Sequence, residues 1–181
     1  VESIKKETKQ TDNGFMSSYE MEEKSYQEYA AASTVIGNNI ILDAGNDINV
    51  KASNIIAVKN EENTGGNISM TAGKDVNILV DTLDNSYSFK EKKSGFSTNM
   101  ASGGGNFTAG VSYSQNSLEQ QRNGTTVAVS TIVSEGNTVI DAGNRVRTEA
   151  MQANIGENLV IRGVNGVELL DAQEVYEEKV K

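Results

Sequence analysis

The chain has 181 residues, a net charge of −9 and only four Arg, so it lacks the basic stripe that a nucleic-acid binder needs to displace counterions from phosphates. It contains no Cys and no His, which excludes disulfides, thiolate and imidazole metal sites, thiol nucleophiles and imidazole-based triads. Hydrophobic residues make up 36% with no Trp and no Pro, which is thin for a globular enzyme but suits a narrow solenoid of aliphatics and uninterrupted strands.

No apolar run approaches the roughly 18 residues of a membrane span, so none is expected. The sequence opens at Val1 with neither initiator Met nor signal peptide and reads as a piece of something longer. Residues 1–36 read as the returning half of an insertion. Ser33-Thr34-Val35-Ile36 stands before Asn39 as Ser130-Thr131-Ile132-Val133 stands before Asn137, 98 residues on (137 − 39). The alternative for this stretch is a short amphipathic helix from Tyr19 to Ala32, with Tyr19, Tyr26, Tyr29 and Ala30 near one face.

A 14-residue pattern follows, four times over: NIILDAGNDINVKA from Asn39, NISMTAGKDVNILV from Asn67, NTVIDAGNRVRTEA from Asn137 and NLVIRGVNGVELLD from Asn158. In the first copy Ile40, Leu42 and Ala44 alternate with polar or outward positions. Gly45-Asn46-Asp47 then breaks the run before Ile48, Val50 and Ala52 alternate again. Period two on both sides of a bend predicts two short strands, each with one face inward. The other copies repeat it, with Ile68, Met70, Ala72, Val76 and Ile78, then Ile140, Ala142 and Val146, then Leu159, Ile161, Gly163, Val167 and Leu169. The segment Asn54 to Val58 supplies a third strand for the first coil. One such unit cannot bury its apolar face alone, so the copies must stack into a solenoid.

Three positions within the pattern carry structural roles. Asn39, Asn67, Asn137 and Asn158 share the start of a coil, where their amides can stack as a hydrogen-bonded ladder. Ala44, Ala72 and Ala142 precede the corner, where a narrow tube leaves little room. Gly45, Gly73 and Gly143 follow and are expected to supply backbone freedom there. The fourth copy departs with Val164, so its corner must be built differently, through Gly166.

Between the second and third copies lies an insertion from Ser86 to Val133. Phe107, Ala109, Val111 and Tyr113 alternate, as do Thr125, Val127, Val129 and Thr131, which predicts a lateral antiparallel hairpin or meander. Gly103-Gly104-Gly105 marks one turn and Asn123-Gly124 signals a type I′ turn. Lys90-Glu91-Lys92-Lys93 reads as an exposed edge guarded by charge. Tyr87, Phe89, Phe96, Phe107 and Tyr113 sit on this arm, either covering its own surface or forming a contact region. The expected division is therefore 1–36, coils at 37–85, the arm at 86–133, and coils at 134–181.

Chemistry is sparse. Asp43 and Asp141 occupy one repeat position and read as solvated corners rather than a catalytic carboxylate pair. Asp47, Asp75, Asp81 and Asp84 have oxygen ligands for calcium but lack the spacing of calcium-binding repeats, so solvated turns are expected. Asn67-Ile68-Ser69, Asn106-Phe107-Thr108 and Asn123-Gly124-Thr125 match a glycosylation sequon, a chance match being the simpler reading. No cofactor, no metal and no enzymatic activity are expected.

The segments DAGNDINV, TAGKDVNI and IDAGNRV, together with SFKEKKSGFS and the Gly-rich stretch, resemble the haemagglutinin repeats of filamentous haemagglutinins. The related contact-dependent growth-inhibition exoproteins of Gram-negative bacteria carry the same repeats. The resemblance covers about Ser33 to Gln173 and implies an all-β, right-handed parallel β-helix. It also implies export by an outer-membrane secretion partner and display at the cell surface. Two functions follow from it: a filamentous adhesin stalk that meets a host or bacterial cell-surface receptor, or a repeat region that aids delivery of a C-terminal toxin to neighbouring bacteria. A polysaccharide-processing β-helix enzyme is the remote third.

Overall fold

A computed structural model describes residues 1–104 and 106–181; the side chains of residues 103, 106 and 107 lie outside the described set. Two strands open the chain, β1 (Glu2–Asn13) and β2 (Ser17–Tyr29). A first coil follows, β3 (Thr34–Gly37), β4 (Ile40–Ala44) and β5 (Ile48–Lys51), then a second, β6 (Asn54–Ala57), β7 (Ile68–Ala72) and β8 (Val76–Leu79). Two long strands, β9 (Asp81–Gly103) and β10 (Asn106–Ala128), separate these from the third coil, β11 (Thr131–Ser134), β12 (Thr138–Ala142) and β13 (Val146–Glu149). The fourth coil is β14 (Gln152–Ile155), β15 (Leu159–Gly163) and β16 (Val167–Leu170), and β17 (Val175–Val180) ends the series. No helix occurs among the described residues, which removes the helical alternative for Tyr19 to Ala32; that stretch is largely β2.

The chain divides into two compact units. The coil unit comprises Val1–Glu2, Tyr29–Leu83 and Thr126–Glu174. Within it, each coil lays one strand in each of three parallel four-stranded sheets, ordered β14-β11-β6-β3, β15-β12-β7-β4 and β16-β13-β8-β5. The alternating residues therefore fall into columns. Ile40, Ile68, Thr138 and Leu159 are register partners, as are Leu42, Met70, Ile140 and Ile161. Ile48, Val76, Val146 and Val167 form a column in the next sheet. Thr34 pairs with Asn54, and Asn54 with Thr131, so the stretches that precede the first and third repeats do share one sheet.

The core lies inside these columns: Ile68, Met70, Ile78, Ile132 and Ile140 are fully buried. Four hydroxyl residues are buried with them, Ser130, Ser134, Thr138 and Thr148. Ser130 Oγ donates to the Leu79 carbonyl at 2.8 Å, and Thr138 Oγ1 donates to Ser134 Oγ at 2.8 Å, so these polar groups keep partners away from water.

The sheet unit comprises Ser3–Glu28, Asp84–Thr125 and Val175–Lys181. It is a single five-stranded sheet in the order β1-β2-β9-β10-β17. The β2–β9 and β10–β17 registers are antiparallel, from Ser17 opposite Gly95 to Gln27 opposite Asn85, and from Gln120 opposite Val180 to Thr125 opposite Val175. Residues 1–29 supply two strands rather than a returning half alone. The reverse comes at Gly14, whose N–H donates to the Ser17 carbonyl at 2.8 Å. Charged β1 (ESIKKETKQTDN) shows no apolar alternation by which a sequence reading finds an outgoing strand.

Candidate functional surfaces

The first surface is the row of asparagines that opens the repeats. Asn67 Nδ2 donates to Asn39 Oδ1 at 3.1 Å, Asn137 Nδ2 reaches Asn67 Oδ1 at 3.5 Å, and Asn158 Nδ2 donates to Asn137 Oδ1 at 2.8 Å. The same oxygens accept backbone N–H groups from the next coil, Asn67 N to Asn39 Oδ1 at 3.2 Å and Asn137 N to Asn67 Oδ1 at 2.8 Å. Asn67 and Asn158 donate to the coil before, whereas Asn137 Nδ2 also donates to Glu157 Oε2 of the following coil at 2.7 Å and Asn39 Nδ2 to Asn38 Oδ1 at 3.1 Å. Asn67, a sequon asparagine, has its amide committed to this ladder.

A second ladder runs along the corner and is not evident from the sequence pattern. Asp47 Oδ1 accepts the Asp75 N–H at 3.1 Å, and Asp75 Oδ1 accepts both the Arg145 N–H at 3.1 Å and Asn144 Nδ2 at 2.6 Å. Asn165 Nδ2 continues it to Asn144 Oδ1 at 2.7 Å. The signal available in the sequence is the recurrence of Asp or Asn two or three positions after the corner residue Ala44, Ala72, Ala142 or Gly163. Asp81 is taken by Lys51 Nζ at 2.8 Å. Among the described residues, no group of three or more acidic side chains gathers as a metal-binding cluster.

The corner glycines require a correction. None of Gly45, Gly73 and Gly143 has a left-handed φ, so conformational freedom is not why glycine stands there. A Cβ on Gly73 would collide with the Gly45 carbonyl, and one on Gly143 with the Gly73 carbonyl. Close coil-on-coil approach dictates the residue type. A Cβ on Gly45 would meet nothing within 4 Å. Within the repeats, the non-glycine residues with a left-handed φ are Ala52 (φ 45°) and Ala150 (φ 40°), the last residues of the first and third. Both lead directly into another coil. Their counterparts Val80 and Asp171 precede β9 and β17, strands of the sheet unit. In the fourth repeat the turn closes through Gly166 (φ 127°), whose N–H donates to the Gly163 carbonyl at 3.1 Å.

The uneven spacing of the first two repeats has a local cause. Three residues separate β11 from β12 and ten separate β6 from β7, so the second coil carries seven extra residues, which equals the difference between spacings of 28 and 21. Those residues form an exposed acidic loop, closed by Asn60 Oδ1 accepting the Thr64 N–H at 2.8 Å and seated by Glu135 Oε2 accepting the Lys59 N–H at 2.6 Å.

The third surface is the sheet unit, where the arm aromatics lie. Tyr87 and Phe89 are half-buried on β9, opposite Ser25 and Glu23 of β2. Phe96 and Tyr113 are exposed and stack with ring centroids 4.8 Å apart. Phe107 belongs to the same expected group, but its side chain lies outside the described residues; so does Gly105 of the expected glycine turn. Lys5 and Lys93 sit 5.4 Å over the rings of Tyr26 and Tyr19. The four aromatics with described side chains thus do not gather into one cluster.

Two further expectations fail here. The Lys90–Lys93 cluster guards no edge, because β9 lies between β2 and β10. Glu20 faces Lys92, Glu22 faces Lys90, and Lys90 Nζ reaches Glu119 at 3.2 Å, so the charges serve cross-strand pairing. Asn123-Gly124 makes no turn, since both lie inside β10 opposite Glu177 and Tyr176. Glycine there admits the neighbouring chain: a Cβ on Gly124 would stand 2.8 Å from the Val175 carbonyl.

Three carboxylates of this sheet, Glu7, Glu22 and Glu91, are held below their ordinary range by ammonium partners. For Glu22 the cause is hydrogen bonding from Lys24 and then Lys9, for Glu7 from Lys9, and for Glu91 from Lys93.

Comparison with known proteins gives the family. The profile of the family described as "Hemagglutinin repeat" matches residues 14–168. A protein named "tRNA nuclease CdiA" from Escherichia coli (strain STEC_O31) is 31% identical over 162 residues, covering 87% of this chain and 5% of that relative. The chain therefore spans about one-twentieth of the length of that relative. No solved structure matches.

Proposed function

Because this chain belongs to the haemagglutinin-repeat family, we propose that it is a non-catalytic repeat segment of a large secreted exoprotein. Its four coils form a right-handed parallel β-helix that serves as a section of a surface-displayed filament. The observation that carries this reading is the coil-by-coil register: every strand of a coil pairs only with its counterparts above and below. A stack of that kind extends in one dimension, and it tolerates an excursion of 48 residues (128 − 81 + 1) between its second and third coils without loss of register. The interior supports the non-catalytic part, since it holds aliphatics together with hydroxyls such as Ser130 and Thr138 that are already hydrogen-bonded within the protein.

Within that reading, the likeness to a protein named as a tRNA nuclease favours the toxin-delivery branch over the adhesin branch. In this branch the segment spaces a C-terminal toxin from the producing cell, and the outer-membrane secretion partner exports the whole. The test is made in the parent exoprotein. Deletion of residues 131–171, two coils, is compared with replacement of residues 86–125 by a short Gly-Ser turn, scoring attachment to cells and growth inhibition of neighbours. A stalk role predicts that both variants still reach the surface. Lost attachment in the arm variant alone assigns recognition to the sheet unit and supports the adhesin branch. Lost inhibition with attachment intact supports delivery. A purified segment that degrades an acidic glycan would overturn the non-catalytic reading.

A further inference from the structure

We propose that the excursions of this exoprotein are zipped to one another. The strand that leaves each pair of coils seats, at one fixed register, on the strand that returned from the excursion before. The proposal rests on the reading of this chain as a segment of a longer exoprotein. Two such junctions lie within the chain. β9 leaves the second coil and pairs with β2, which leads into the first coil. β17 leaves the fourth coil and pairs with β10, which leads into the third.

The sequence alone makes the two junctions equivalent. The leaving strands share Tyr-x-x-Lys-x-Lys, as Tyr87, Lys90 and Lys92 and as Tyr176, Lys179 and Lys181, an offset of 89 residues (176 − 87). The returning strands share Ser-x-Glu, as Ser18 and Glu20 and as Ser117 and Glu119, an offset of 99 residues (117 − 18). The structure then pairs the equivalents with each other. Ser25 faces Tyr87, and their equivalents by those offsets, Gly124 and Tyr176, also face each other. Glu20 faces Lys92, and their equivalents Glu119 and Lys181 exchange both backbone hydrogen bonds, at 3.0 and 2.8 Å. A slip of one residue would turn every side chain to the other face and part these Glu–Lys pairs. One register and one charge pair, kept by two different pairs of strands, define a rule for how one excursion meets the next.

That rule leaves a seat to be filled. Among the described residues, β17 covers the outer edge of β10 only from Thr125 to Glu119, and no strand lies on that edge from residue 118 back to 108. Exposed edges are ordinarily blunted by charge. Here no charged residue stands between Lys93 and Glu119. An uncharged edge suits a covering strand, and the continuation of β17 in the exoprotein is the occupant that already holds the register. The fifth residue after Lys181 then faces Ser114, the fifth before Glu119. The block that repeats is two coils with one excursion, and consecutive blocks are joined by paired excursions as well as by stacked coils.

The test compares the 181-residue chain with the exoprotein segment extended through its next excursion. Glu119 directs its N–H and carbonyl to Lys181, so by the two-residue period of a strand the N–H groups of Ala109, Val111, Tyr113, Gln115 and Ser117 point to the same outer edge. In the 181-residue chain these five amides should exchange freely, and in the extended chain they should slow at least about tenfold. Slow exchange of β7 and β12 in the same sample certifies the coil stack, so failure at β10 counts against the zipper alone. Cysteines read the register, since this chain has none of its own. Ser114→Cys should form a disulfide with a cysteine at the fifth residue after Lys181, a non-hydrogen-bonded pair with Cα atoms about 4.5 Å apart. It should not do so with a cysteine at the sixth, which projects from the other face. Free exchange of the five amides in the extended chain overturns the proposal, as does equal cross-linking at the two positions. Slow exchange of the five amides in the 181-residue chain overturns it too, because the seat would then be filled without the next excursion.

Discussion

The two units of this chain are both built from strands but are stabilised by different means. Every buried apolar side chain among the described residues belongs to the coil unit. The sheet unit has strands of up to 23 residues and buries none. Parallel stacking encloses an interior, so each coil contributes apolar burial as well as backbone hydrogen bonds. A single antiparallel layer encloses nothing and depends on its ladder, on cross-strand ion pairs such as Arg122 with Glu178 at 2.9 Å, and on ring contacts. Its outer strands, β1 and β17, are densely charged, which blunts the exposed edges. A mutation should therefore act according to the unit it falls in.

The largest contrast is a buried charge. Ile140→Asp places an unpaired carboxylate in a fully buried column and is expected to destabilise the coil unit by about 4 kcal/mol or more in urea unfolding. Asp141→Ala, one residue along and facing away, should stay within about 0.5 kcal/mol. Val111→Asp, on a sheet residue that is 73% exposed, should also stay within about 0.5 kcal/mol. Comparable losses at Ile140 and Val111 would mean that the sheet has an interior after all.

Next comes the corner. Gly73→Ala forces its methyl against the Gly45 carbonyl and is expected to cost about 1–3 kcal/mol, whereas Gly45→Ala should be silent. Equal costs at the two sites would return the explanation to backbone freedom. Asn67→Ala follows. It removes one side-chain donor and the acceptor of the Asn137 N–H, for an expected loss of about 1 kcal/mol, measured by thermal unfolding.

The coils were legible in the sequence because burial writes a period. Ile40, Leu42 and Ala44 alternate for the same reason that Ile68, Met70 and Ala72 do, and the repeat spacing gives their register directly. The asparagine row was legible as a shared position. Which neighbour each amide serves was not, because which amide atom faces which coil depends on rotamers. The glycine corners were located but misattributed, since a close carbonyl above a residue leaves the same glycine in the sequence as a left-handed turn. The sheet unit was least legible. With no interior to fill, β1 carries no apolar period. The Lys90–Lys93 cluster looks the same on a central strand as on an edge until its acidic partners on β2 are known.

The smallest expected effect is one of acidity, and it separates the units by their charges. Glu22 accepts from Lys24 at 2.9 Å and from Lys9 at 3.2 Å, Glu7 accepts from Lys9 at 2.8 Å, and Glu91 accepts from Lys93 at 2.7 Å. All three carboxyls are held below their ordinary range by these partners. A carboxyl that is more acidic folded than unfolded contributes stability that is fully present above its unfolded value, about 4.3. That contribution is lost as pH falls through the lower folded value. These pairs reach solvent, so each is screened and small. The coil interior buries only apolar and hydroxyl side chains, none of which titrates in this range. Hydrogen exchange, corrected for its own pH dependence, should therefore show amides of 17–29 and 84–95 losing protection below about pH 4 while those of β7 and β12 keep theirs. Added salt at neutral pH should weaken the same amides in the same order, because it screens the same pairs. If the coil amides open first on acidification, the ion pairs are not what holds the sheet, and its ladder alone must be strong enough.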